Sequence, residues 1–84
     1  MKMKSKQTIQ DQLIQIFMRT LSLSEEQAKT ATIENTDNWD SFTHMNLILS
    51  IEVDLLRSEI DPNDAVELIS FGKIYEYVYA RTCI

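Results

Sequence analysis

Apolar residues recur along the segment KQTIQDQLIQIFMRTL at Ile9, Leu13, Ile16, Phe17 and Leu21. The spacing i, i+4, i+7, i+8, i+12 is one stripe of an α-helix, with Gln10, Asp11, Gln15 and Arg19 mostly on the wet side. The period is then lost through SLSEEQAKTATIENTDNW. Ser24, with Gln27 three residues on, has the form of a capping box and predicts a short helical turn. Beyond Lys29 the β-branched and Asx residues favour irregular chain. Periodicity returns at Ser41 and holds to about Leu56. Phe42, Met45, Leu47, Ile48, Leu49, Ile51, Leu55 and Leu56 cover more than one stripe, which predicts a central helix touched on several sides, with Val53 left at the surface. Asp61 before Pro62 supplies an N-cap and a proline at the first helical position. The short helix it opens is expected to turn Ala65, Leu68 and Ile69 inward. Ser70 is placed to cap a last helix, FGKIYEYVYAR, with Phe71, Ile74, Val78 and either Tyr75 or Tyr77 inward.

These elements in this order predict an all-α fold: a small four-helix bundle with a long loop between its first two helices and a short third helix. Gly72 and Pro62 are the sole glycine and proline, a scarcity that disfavours a hairpin-rich β fold. The 84 residues suffice for one compact domain. No repeat or linker divides them, so 1–84 reads as a single domain with a loose tip over 1–4 and fraying over 82–84.

Charge narrows the choice of partner. Eight Lys and Arg against thirteen Asp and Glu leave a net charge of −5, which argues against a nucleic-acid backbone and favours partners with basic or mixed basic and apolar docking surfaces. The few cations of MKMKSK make only a short solvated tip. Cys83 is the single cysteine, so no internal disulfide forms, and its plain reading is a free thiol near a chain end in a reducing compartment. No apolar run reaches the ~18 residues of a membrane span, and no apolar core follows the early lysines as a signal peptide requires. The expectation is a soluble, cytoplasmic monomer.

Candidate chemistry concentrates in TDNWDSFTHMNLILSIE, residues 36–52. Asp40 is a strong N-cap candidate and Ser41 follows it. Ser41 has three readings. It is a helix-start residue without chemistry; or a nucleophile with His44 three residues on; or an attachment point for a phosphate-linked group, which the positive end of a helix tolerates. The nucleophile reading lacks the glycine-flanked strained turn of serine hydrolases, since WDSFT contains no glycine, and it requires an oxyanion hole and a concave pocket. His44 is by default a surface side chain. The carboxylates and amides of ENTDNWD lack the calcium-loop pattern and read as an Asx-rich turn. Trp39, just before the cap, is expected to fold back on its helix against His44 as a hydrophobic staple, with Met45 the neighbouring alternative.

At these residues the chain resembles the acyl carrier protein family. The family motif Asp-Ser-Leu stands here as Asp40-Ser41-Phe42, and its extended form, Trp-Asp-Ser-Leu-x-His-x-x-Leu-Ile, is matched in WDSFTHMNLI by Trp39, Asp40, Ser41, His44, Leu47 and Ile48. LSIEVDL is similar to the family's Leu-Glu-x-Glu-Phe stretch. IDPNDAVELISFGKIYEYV is similar to its Ile-x-Pro-x-Asp … Val-Gly-x-Ile-x-x-Tyr pattern, so the likeness is close over residues 39–78.

The resemblance implies 4′-phosphopantetheine on Ser41, delivered from coenzyme A by a phosphopantetheinyl transferase that carries the magnesium. It implies a role for Asp40 in both the helix cap and transferase recognition. The arm would carry an acyl or aminoacyl group as a thioester to successive partner enzymes, and the chain itself would be no enzyme. Phe42 departs from the usual Leu, and only Glu52 and Asp54 are acidic in the rest of the helix, with Asn46 and Val53 where many fatty-acid carriers have carboxylates. These departures point to a specialised pathway (polyketide, peptide, or sugar and polysaccharide acylation) rather than bulk fatty-acid synthesis. Partner docking is assigned to Phe42, Met45, Glu52, Val53 and Asp54, although the plainer place for Met45 is the core. The alternative is a helical adaptor of the same fold that binds a partner enzyme and carries no prosthetic group.

Overall fold

A computed structural model describes residues 6–82; the predicted loose tip at 1–4 and Cys83 with the chain end lie outside the described residues. The stripe of the first segment folds as α1, Lys6–Leu21. Ile9, Leu13, Ile16, Phe17 and Leu21 are all buried, joined by Ile14. Ser22, just past the helix, takes the left-handed conformation (φ 57°) that commonly closes one.

The capping box forms as the spacing predicts. Ser24 Oγ accepts from Gln27 N at 3.1 Å, Gln27 Oε1 accepts from Ser24 N at 3.0 Å, and the one-turn helix α2, Glu25–Lys29, starts there. The connection that follows is irregular but anchored. Thr32 bridges to Ser70, Ile33 N donates to Ile69 O at 2.9 Å and Phe71 N to Ala31 O at 2.9 Å. No strand forms among the described residues.

Helix α3, Ser41–Ile51, runs on into a wider π turn, Glu52–Leu56, closed by Arg57 in the left-handed region. Asp61 Oδ1 accepts from Asn63 N at 2.8 Å and, with Pro62 at the first position, opens α4, Pro62–Ala65. Ser70 Oγ accepts from Lys73 N at 3.1 Å at the head of α5, Phe71–Thr82. Thr82 belongs to that helix, its hydroxyl donating to Val78 O at 2.9 Å. The fold is all-α, and no helix among the described residues is long and apolar enough to cross a membrane.

One core joins these elements. Helix α1 packs against α2, α3 and α5, and the π turn against α5. Phe17 sits at the centre, edge-on to Trp39 (ring centroids 5.5 Å) and to Phe71 (5.1 Å). Two expectations change here. Ile69 is partly exposed while Leu68 is buried, because the helix ends at Ala65 and Ile69 and Ser70 pair instead with Ile33 and Thr32, so helical spacing no longer sets which side chain turns inward. Tyr75 and Tyr77 are both half-buried rather than one inward. Tyr75 stacks between Phe71 and Tyr79, while the Tyr77 hydroxyl donates to Asp64 Oδ2 at 3.2 Å, with Arg81 over its ring at 3.7 Å. Burial pushes the Tyr77 phenol above its usual pKa, with Arg81 opposing.

Candidate functional site

The entry to α3 is built by local hydrogen bonds. Asn35 Oδ1 accepts from Thr32 N at 2.9 Å, and Asn38 Nδ2 donates to Leu21 O at 3.2 Å, pinning the loop to the end of α1. Asp40, in extended conformation, caps the helix: its Oδ1 accepts from Thr43 N at 2.8 Å, and its carbonyl takes His44 N at 2.8 Å. The amides that resembled metal ligands are thus engaged in turn and loop bonds.

The Thr43 backbone N–H holds the Asp40 carboxyl below its usual pKa. A carboxyl whose pKa is lower folded than unfolded adds stability above the ordinary carboxylate range, and loses that contribution as pH falls through the lowered value. Asn caps about as well as Asp but does not titrate. Asp40→Asn is therefore expected to match the parent in urea melts at neutral pH, and to lose less stability than the parent when the melts are repeated from about pH 4 downward.

Ser41 is the first helical residue and is exposed; among the described residues none hydrogen-bonds its hydroxyl. Trp39, only 3% exposed, folds back as the staple predicts. Its ring stacks on His44 (centroids 5.9 Å, planes 25° apart) and its Nε1–H donates to His44 Nδ1 at 2.9 Å. His44 Nε2 lies 2.8 Å from Ala65 O. With Nδ1 accepting, Nε2 carries the proton and donates to that carbonyl. The expectation of a free surface histidine is corrected, because both nitrogens have partners 5 and 21 residues away. Neither nitrogen is free to accept a proton from Ser41.

The far face of α3, continued into the π turn, is open. Phe42 is 72%, Met45 62% and Val53 66% exposed, and Leu49 is half-exposed. The expected close packing around this helix, and the core placement of Met45, are therefore corrected. Helix α4 has four residues and meets α3 where Ala65 O bonds His44, and among the described residues the second apolar stripe stays exposed at Met45 and Leu49. Beside the two lies an open cleft of about 420 Å³, lined on the α3 side by Ser41, His44, Met45, Ile48 and Leu49 and on the other by Ile60 and Val66. Leu49, Ile60 and Val66 escaped the sequence reading as site residues; the spacing of Phe42, Met45 and Leu49 was the signal for a second stripe on α3.

The two acidic docking candidates have partners inside the chain. Glu52 Oε2 accepts from Ile60 N at 2.6 Å, closing the far end of the cleft, and Asp54 pairs with Arg19 at 3.2 Å. The assembled site is an exposed hydroxyl at a capped helix start, beside an apolar cleft and an apolar helix face. A search of protein families finds no model that matches the chain, and a search of curated proteins finds no match.

Proposed function

We propose that this chain is an acyl carrier protein, a four-helix carrier domain modified on Ser41 with 4′-phosphopantetheine in the cytoplasm. The observation that carries the reading is the free Ser41 hydroxyl at the first position of α3, on the rim of an apolar cleft. When attached, the arm supplies a thiol that holds an acyl or aminoacyl group as a thioester. This chain's residues then do three things. Asp40 and the Trp39–His44 pair fix the helix start, so a transferase meets Ser41 in one orientation. The first turn of α3, where Asp40 takes the Thr43 N–H, offers its remaining N–H groups to a phosphodiester. The cleft walls shield an apolar cargo from water.

Partner enzymes dock on α3. Apolar contact through Phe42, Met45 and Val53 carries more of that docking than charge, since Glu52 and Asp54 already have partners in the chain. An exposed apolar patch of this kind on a small protein commonly marks an interaction site. It fits a specialised pathway better than one whose enzymes recognise a strongly acidic helix.

Incubation with coenzyme A and a broad-specificity phosphopantetheinyl transferase tests the reading by intact mass. The expected result is one added phosphopantetheine per chain. An unchanged mass under conditions that load a control carrier would favour the adaptor, which uses the same apolar face and needs no arm.

A further inference from the structure

We propose that His44 is a positioning residue, a proton-sensitive clasp that holds Trp39, the first turn of α3 and the α4 wall in one arrangement around Ser41. The clasp stands on geometry alone; its consequence for Ser41 rests on the carrier reading above.

Its bonds have a fixed direction. An indole N–H only donates, so the buried Trp39 requires an acceptor, and His44 Nδ1 at 2.9 Å supplies it. That leaves Nε2–H for Ala65 O at 2.8 Å. One neutral tautomer of one side chain therefore joins the loop before α3 to a helix 21 residues on. Helix α4 is short and depends on few such ties. The others are Ile60 N to Glu52 at 2.6 Å on the α3 side, and Asp64 to Tyr77 (3.2 Å) and Arg81 (3.8 Å) on the α5 side.

A second proton on the imidazole can go only to Nδ1. The acceptor becomes a donor pointed at another donor, and a buried N–H loses its partner. The charged groups on the segments around His44 are carboxylates apart from Arg57: Glu34 and Asp37 in the preceding loop, Asp40 at the cap, Glu52 in the π turn, Glu59 and Asp61 before α4, Asp64 within it and Glu67 after it. Asp40, Glu52, Asp61 and Asp64 are engaged with Thr43 N, Ile60 N, Asn63 N, and Tyr77 with Arg81. Among the described residues none of them hydrogen-bonds the imidazole to replace the lost contact. Proton uptake thus releases Trp39 and frees the helix start that presents Ser41, while Nε2–H keeps its bond to Ala65 O and α4 stays tied.

The chain has one tryptophan and one histidine, so each gives a single signal. Solvent exchange of the Trp39 indole N–H is measured by NMR from about pH 8 to pH 5, the range in which imidazoles take up a proton, for the parent and for His44→Gln. Glutamine can accept from the indole and donate to Ala65 O, and it does not titrate. At the acid end the parent's protection is expected to fall roughly tenfold below that of His44→Gln at the same pH, through a one-proton transition, with the two alike at pH 8. An identical pH course in both proteins, or no transition in the parent, overturns the clasp. Imidazole ¹⁵N shifts of the parent give an independent check if the variant folds poorly: Nε2–H at pH 8 is required, and Nδ1–H overturns the proposal. Failure of transferase loading at pH 8 counts against the carrier reading and leaves the exchange result standing.

Discussion

Ser41→Ala is expected to abolish transferase-dependent mass gain completely while leaving the fold intact. The two halves of this expectation have separate physical causes. Loading is expected to need the hydroxyl itself, since among the described residues no other serine or threonine stands exposed at the first position of a capped helix beside the cleft. Folding does not need it, because Asp40 and not Ser41 satisfies the Thr43 N–H, and no described residue bonds the Ser41 hydroxyl. Alanine is also the best helix former. The variant should therefore stay within about 0.5 kcal/mol of the parent in urea unfolding. Mass gain in the variant would move the attachment point elsewhere. Loss of folding would make Ser41 structural and take the observation that carries the carrier reading with it.

The largest effect on stability is expected at Phe17. Its side chain is fully buried, and its ring meets Trp39 and Phe71 edge-on at 5.5 and 5.1 Å, so one residue joins α1 to the loop before α3 and to α5. Phe→Ala in such a site costs about 3–5 kcal/mol. A domain of this length has a total stability on the order of 4–13 kcal/mol, so Phe17→Ala should leave the chain marginally folded, with a far lower urea midpoint. Phe17→Leu keeps most of the volume and should lose only about 1–1.5 kcal/mol. Emission from Trp39 follows both, since the deleted ring packs on the only indole. A loss under about 1 kcal/mol for the alanine variant would mean that Phe17 does not occupy the centre of the core.

The apolar face of α3 bears on both results. Phe42 and Met45 neither support the core nor cap the helix, so the exposed hydroxyl and the exposed stripe vary independently. That separation is what the proposed carrier role requires, because attachment and partner choice must not disturb the fold that presents them.

The helices and their starts were legible in the sequence because their causes lie within about four residues. Ser24 with Gln27, Asp40 before Ser41, Asp61 before Pro62 and Ser70 before Phe71 each place a side-chain acceptor beside N–H groups that the helix leaves unpaired. The buried face of α1 was equally legible, since a single stripe can point only one way. Helix α3 was different. It carries two apolar stripes, and periodicity reports which residues share a face without saying whether anything covers it. The four residues of α4, beginning 21 positions after Ser41, touch α3 at His44 and leave Met45 and Leu49 in the open. Separation in sequence likewise concealed the bonds from His44 to Ala65, 21 residues apart, and from Glu52 to Ile60, 8 apart. By itself the sequence determined the helices, their caps and the position of Ser41 at a helix start. Only the tertiary structure decided that a cleft opens beside that serine, that both nitrogens of its histidine are engaged, and which apolar face remains exposed, because those depend on how separate helices meet and not on the residues within any one of them.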